Sequence, residues 1–330
     1  MQTEHLYTPA AEAPLISFII AFYNLPAELL TRCIDSILAL SLRKHEREII
    51  VIDDGSSVSP LPHLTDYQDQ IIYLHQHNQG LSNARNSGIR IATGKYIQFV
   101  DADDQLLPTP YEHCLDLLRR AKSDMVLFDF TNHPTQQDRA YSDMPMMSGS
   151  ELMRNHNIQG SAWGYLFRKD TLGQLRFTPG IFHEDEEFTP LLLLRADTVV
   201  KTNAKAYLYN QRSNSIMNQQ DVRHCLRRLN DSKDILKRLN RTADTLPQES
   251  KQALLRRVHQ LTMDYIYNII MLVHSRHYLN RQLKELTQMG LYPLPKRDYT
   301  RKYTWFRHLA NNKLGLSMLV NAIPFMMRER

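Results

Sequence analysis

Cysteine is scarce, three in 330 residues, at Cys33, Cys114 and Cys225. An odd number, widely spaced and without a Cys-x-x-Cys pair, supports neither a disulfide framework nor a zinc site. Such usage fits a reducing cytosol. No apolar run reaches the ~18 residues that a membrane-crossing helix needs. The opening stretch, MQTEHLYTPAAEAP, has no basic start and no apolar core, so no signal peptide is expected. Nucleic-acid motifs are also missing. After the first apolar run stands Tyr23-Asn24-Leu25-Pro26, where a glycine-rich phosphate loop would have to lie.

What is present is enough apolar residue, 42%, for a packed core. The length suggests one large domain and a smaller one. A net charge of +5 hides an asymmetry. Residues 1–200 carry 16 Lys and Arg against 26 Asp and Glu, whereas residues 201–330 carry 24 against 9. Two functional regions follow, an acidic one and a basic one that seeks anions such as lipid headgroups or phosphates.

Leu15 to Phe22 is an apolar run that reads as a buried strand, followed from Pro26 by a helical stripe through Ile34, Ile37, Leu38 and Leu40. Glu48 to Ile52 is a second buried strand, Ile71 to Leu74 a third, Lys95 to Val100 a fourth and Asp124 to Phe128 a fifth. Strands alternating with helical stretches predict an α/β fold, a Rossmann-like, mostly parallel sheet flanked by helices. Residues 131–150 are polar, with Met144, Met146 and Met147 around Pro145, and read as a mobile loop. Ala206 to Gln211 reads as a last strand.

Polar residues gather where these strands end. Asp53-Asp54-Gly55-Ser56-Ser57 closes the second. Asn78 to Asn86 holds Gly80 for a tight turn, Ser82 as a helix cap and Arg85 in the helix's first turn, which is either an anion site or a capped helix with a solvated arginine. After the fourth strand come Asp101, Asp103 and Asp104. Carboxylates this close repel one another, and Mg²⁺ or Mn²⁺ holding nucleotide phosphates between them would relieve it. An Asp-rich turn with no metal is the plainer alternative.

The order ISFIIAFYN, EIIVIDDGSS, NQGLSNARNSGI, ATGKYIQFVDADD resembles the family 2 glycosyltransferases of the GT-A fold, across about residues 15–215. The resemblance implies a nucleotide-sugar donor, UDP-sugar favoured, and a divalent metal, Mn²⁺ or Mg²⁺. It implies Tyr23 and Asp54 near the base, Arg85 near the diphosphate, and Asp101 near the ribose or sugar. Asp103 would be the chief metal carboxylate, with Asp104 beside it. Ala21 and Val58 stand where members usually carry Pro and Asp. His183-Glu184-Asp185-Glu186-Glu187 is by itself an acidic first turn of a buried helix, favoured by the helix dipole. By resemblance it is the family's Glu-Asp motif, with Asp185 the catalytic base and Glu184 beside it. Trp163 either stacks on a sugar or belongs to the core. Arg212, in an Arg-x-x-Ser turn, would fold over the diphosphate.

These features divide the chain into an N-terminal extension (1–14), a catalytic domain (15–215) and a basic helical region (216–330). The tail 299–330 combines Trp305, Phe306, Leu314, Leu316, Met318 and Leu319 with Lys and Arg. Such a segment either lies in a membrane interface or docks on the protein. The expected activity is inverting transfer of one sugar to a glycan or polyprenyl-diphosphate-linked acceptor in bacterial surface-polysaccharide synthesis, on the inner face of the cell membrane. The membrane helices and QxxRW motif of the processive members are missing. An inactive sugar-nucleotide binder or membrane scaffold is the alternative from another class; a sugar nucleotidyltransferase fits less well without its glycine-rich loop.

Overall fold

A computed structural model describes residues 13–133, 140–211 and 221–326, with side chains as far as Asn321. The chain forms two compact units. The first comprises residues 1–142, 165–173 and 202–210, and the second 143–164, 174–201 and 211–330.

The first unit is built on an eight-stranded sheet. Its strands are β1 (Ile16–Phe22), β2 (Arg47–Asp53), β3 (Ile71–His75), β4 (Tyr96–Asp101), β5 (Gln105–Leu106), β6 (Met125–Thr131), β7 (Tyr165–Arg168) and β8 (Val199–Leu208), in the order β3-β2-β1-β4-β7-β6-β8-β5. The strands β3, β2, β1 and β4 run parallel. β7 is antiparallel to β4 and β6, and β8 is antiparallel to β5. The sheet is therefore mixed, and parallel only over these four strands, of which β1, β2 and β4 carry the apolar runs that mark burial on both faces, while β3 is partly exposed. The last strand begins earlier than Ala206. From Val199 to Leu208 buried residues alternate in part with Lys and Asn, the pattern of a half-covered strand, which lacks a continuous apolar run.

Helix α1 (Ala27–Leu38) buries Leu30, Cys33, Ile34 and Ile37, a stripe at helical spacing. Helix α2 (Leu81–Ile91) begins three residues before the expected Ala84 and is capped at Gly80. Ser82 is a helical residue, not the cap. Asp54 holds the Gln79 and Gly80 N–H groups just before it. Helix α3 (Pro108–Ala121) completes the unit's long helices, with Tyr111, Cys114, Leu115 and Leu118 buried.

In the second unit the methionine-rich stretch is not simply a loop. The Met144 N–H donates to Lys201 and Met147 pairs with Val199, after which α4 (Gly149–Asn155) starts with a Ser148 cap. Its other helices are α5 (Glu184–Leu193), α6 (Val222–Asp244), α7 (Gln248–Val273), α8 (Arg276–Gln288), α9 (Arg301–Ala310) and α10 (Lys313–Met326). They share a core through Leu229, Leu236, Leu239, Ile266, Ile269 and Leu286, with Tyr303, Phe306 and Leu319 of the tail buried in it. The tail is thus two helices, not one, broken at Asn311-Asn312. It docks by one face and leaves Trp305 (58% exposed), Leu314 (82%) and Met318 (63%) to solvent. Among the described residues no helix is long and apolar enough to cross a membrane.

Candidate functional site

Parallel pairing brings the strand ends together. Phe22 is in register with Asp53, and Ala21 with Asp101, so β1 ends between two carboxylate-bearing neighbours. Ligands of open α/β sheets bind along this edge. Tyr23, 47% exposed, follows β1.

Asp54 is buried. Its carboxylate accepts from Gln76 Nε2 (2.6 Å) and from the backbone N–H groups of Gln79 (3.0 Å) and Gly80 (2.7 Å). Gly80 is at φ +85°, a conformation a side chain would disfavour. Gly55 is also left-handed, and a Cβ there would come within 2.6 Å of the Asn78 backbone. Asp54 therefore fastens the loop before α2. The neighbouring Asp53 accepts from the Ser56 N–H and the Tyr73 hydroxyl. Burial first, then this bond to the Asp53 carboxylate, pushes the Tyr73 hydroxyl up to about 12.

Arg85, on α2, is buried and pairs through Nη2 with Asp101 Oδ1 at 2.9 Å. Its guanidinium also stands 5.9 Å from the centre of the Phe99 ring. The helix start at Leu81 places it in the second turn, not the first. Sequence reasoning assigned Arg85 and Asp101 to different parts of a ligand; the structure joins them.

The turn after β4 is cross-braced. Asp104 is buried; its Oδ2 accepts from the Tyr207 hydroxyl (2.9 Å) and its Oδ1 from the Asn210 N–H (2.8 Å). The Tyr207 hydroxyl also accepts from the Asp101 N–H (3.0 Å), and Asn210 Nδ2 donates to the Asp103 carbonyl (2.7 Å). Burial, followed by the charge of Asp101, pushes the Asp104 carboxyl up to about 8. Asp104 thus faces inward as a brace. Tyr207 and Asn210 were missed from the sequence because they lie more than 100 residues away, in a stretch that reads only as a strand end.

The donor chemistry of this edge fits one hard cation. Asp101 pairs with Arg85, Asp104 is held by Tyr207 and Asn210, and Asp103 stands half-buried in the same turn. Among the described residues no group of three His, Cys, Asp or Glu could hold a metal unaided. An ion that takes one carboxylate and completes its shell with phosphate and water is the kind such a site suits.

The Glu-Asp stretch lies in the second unit, at the start of α5. His183 caps it in a left-handed conformation at φ 62°, uncommon for a residue with a side chain. Burial first, then Arg228, holds the His183 imidazole below its ordinary range, while Glu186 and Asp231 pull the other way. Glu184 and Glu187 are buried; Asp185 is half-buried, and its Oδ1 accepts from the Glu186 N–H at 2.9 Å. The flanking carboxylates are tied down. Glu187 makes a bidentate pair with Arg238 and accepts from Thr178, and Glu186 pairs with Arg257. Trp163, of the same unit, is only 8% exposed and lies with the buried residues. Arg212 lies outside the described residues.

Residues 17–175 match the model of glycosyl transferase family 2. The chain is 29% identical over 215 residues to the uncharacterized glycosyltransferase YibD of Escherichia coli, covering 59% of this chain and 62% of that one. TarS 1–349 of S. aureus, solved with UDP-GlcNAc, superposes at a TM-score of 0.52 with 19% identity, over 84% of this chain and 92% of that one. Mannosyltransferase PcManGT of Pyrobaculum calidifontis, solved with GDP-Man and Mn²⁺, gives 0.56 at 13% identity, over 97% and 89%. The two structures show the fold, GT-A with C-terminal helices.

Proposed function

We propose, from the premise that the chain belongs to glycosyl transferase family 2 through its residues 17–175, that it transfers one sugar with inversion from a nucleoside-diphosphate sugar to a hydroxyl. The observation that carries this reading is the strand edge where Asp53-Asp54, Arg85, Asp101 and Asp103 meet. The binding of UDP-GlcNAc by TarS 1–349 supports a UDP-sugar donor. We assign residues 15–215 to catalysis and 216–330 to a basic helical region.

In this assignment Tyr23, exposed at the end of β1, contacts the base. Asp54 shapes the base pocket through the loop it fastens. Arg85 and Asp101 line the diphosphate and ribose side, and Arg212, outside the described residues, is assigned to the diphosphate. Asp103 would hold Mn²⁺ or Mg²⁺, which when bound supplies positive charge to the leaving diphosphate; the Mn²⁺ of PcManGT supports this. Asp104 keeps the Asp101–Asp103 turn in place. Asp185 is the general base. Its carboxylate takes the proton of the acceptor hydroxyl as that oxygen bonds to C1 and the C1–O bond to the diphosphate breaks. One displacement inverts C1, and no protein nucleophile is required. Glu184, buried beside Asp185, sets the start of the helix.

The acceptor, by the same reading, is a glycan or a polyprenyl-diphosphate-linked glycan of a bacterial surface polysaccharide. Trp305, Leu314 and Met318, exposed among basic residues, would rest on an anionic membrane at the inner face of the cell membrane. Calorimetry with UDP, GDP, dTDP and CDP, with and without Mn²⁺, on the wild type and Asp103→Ala tests the donor site. One nucleotide is expected to bind with Mn²⁺ and to lose that dependence in the variant. Binding of none would leave an inactive scaffold as the better reading.

A further inference from the structure

The second unit contains a pocket of about 330 Å³, lined by Arg154 of α4, Arg256 and His259 of α7, and Arg297, Asp298 and Tyr299 of the segment before α9. Its charges do not balance. Arg256 spends its two terminal nitrogens on neutral acceptors, the Arg154 carbonyl (3.1 Å) and Asn157 Oδ1 (2.9 Å). Its Nε is buried with no hydrogen-bond partner. The guanidinium lies 4.7 Å from the centre of the Tyr299 ring, which orients it without neutralising it. Arg297 makes no hydrogen bond or ion pair among the described residues. Arg154 reaches one carboxylate, Glu249 at 3.4 Å, which is itself 81% exposed. Against three guanidinium groups the lining offers one carboxylate, Asp298. His259 joins Tyr299 through Nδ1 at 2.9 Å.

A half-desolvated guanidinium without a counter-ion is costly, and an anion in the pocket removes that cost. Guanidinium forks match the paired oxygens of phosphate, and a phosphoryl group offers more such oxygens than a carboxylate does. We propose that Arg154, Arg256 and Arg297, with the Tyr299 hydroxyl, form a binding site for a phosphoryl group, built wholly from residues of the second unit. The next residue of α7, Arg257, holds Glu186 beside Asp185. An occupied pocket would therefore stiffen the helix that positions the Glu-Asp turn. The site does not depend on the donor reading.

Calorimetry on the full chain in low salt with EDTA, titrating inorganic phosphate and then pyrophosphate, tests the site. Wild type is expected to bind, and Arg256→Gln and Arg297→Gln to bind at least about tenfold more weakly. Arg297 is exposed, so its variant should fold normally, and binding of UDP with Mn²⁺ should be unchanged in it. No binding by wild type, or equal binding by Arg297→Gln, overturns the proposal. Absent nucleotide binding with pyrophosphate binding intact would instead overturn the donor reading alone. Flotation with phosphatidylglycerol vesicles separates two sources. Retention that pyrophosphate competes and Arg297→Gln weakens puts the phosphoryl group on a lipid, and pyrophosphate binding without that effect puts it on a soluble phosphoester.

Discussion

The Tyr207 hydroxyl donates to Asp104 at 2.9 Å and accepts from the Asp101 N–H at 3.0 Å, clamping both ends of the Asp101–Asp104 turn. Tyr207→Phe keeps the ring and removes both bonds. It leaves a buried carboxyl oxygen and a backbone N–H without that partner, which should cost ~1–3 kcal/mol in urea unfolding. Nucleotide affinity should fall as the turn loosens. Unchanged affinity alongside reduced stability would separate the brace from the site.

Asp101→Asn should weaken the fold and the donor site together. It replaces the anionic partner of Arg85, whose side chain is 4% exposed, by a neutral amide. Removing one member of a fully buried pair costs ~3–5 kcal/mol; about 2 kcal/mol is expected here, because Asp101 retains 29% exposure. Thermal unfolding with and without nucleotide measures both effects.

Much of this site was legible as pattern but not as contact. The apolar runs within Ile16–Phe22 and Arg47–Asp53 announce strands because burial on both faces demands continuous hydrophobicity, and the carboxylates that close the second, with those after Val100, locate the edge. The Asp101–Arg85 pair, the inward turn of Asp104 and the fastening of the loop before α2 by Asp54 were not legible. Each depends on which of several equivalent polar groups the chain brings near, and no local periodicity encodes that. The tail was half legible. Its apolar residues predicted burial or membrane contact, and the docked face takes Tyr303 and Phe306 while Trp305 stays out.

Glu187, buried, is held by Nε and Nη2 of Arg238, and the hydrogen bonding to Glu187 first, against the opposing effect of burial, holds that guanidinium above its ordinary range. Arg238→Met should cost about 2 kcal/mol, reduced from the fully buried case by the exposure of the arginine. Arg238→Lys, which keeps the charge without the fork, should recover part of it. If α5 positions the base, turnover should fall in Arg238→Met while nucleotide affinity stays constant.

Asp185→Asn should reduce release of nucleoside diphosphate from the donor by about 10²–10⁴-fold, the range for loss of a general base. Donor affinity and unfolding free energy should be near those of wild type, since the substitution is nearly isosteric and an amide oxygen can still accept from the Glu186 N–H. Full turnover in this variant would move the base elsewhere.

Burial first, then the charge of Arg297, holds the His259 imidazole down to about 4, with Arg256 and the Tyr299 hydroxyl also facing its surroundings and Asp298 across the pocket. A basic group depressed on folding binds its proton more tightly in the unfolded chain. Its neutral form is therefore no burden above the unfolded value near 6.5, and stability is lost as pH falls from there through 4. The loss should approach about 2–3 kcal/mol at pH 4, less than the full shift implies because the ring keeps some contact with water. Urea midpoints at pH 7.5, 6 and 4.5 should fall more steeply in wild type than in His259→Gln, and the carboxylates that titrate in both proteins cancel in the difference. Phosphate in the pocket would set negative charge against Arg297 and favour the protonated ring. Added phosphate should then flatten the wild-type slope and leave that of His259→Gln unaltered, which ties the acid sensitivity of the fold to occupancy of the pocket.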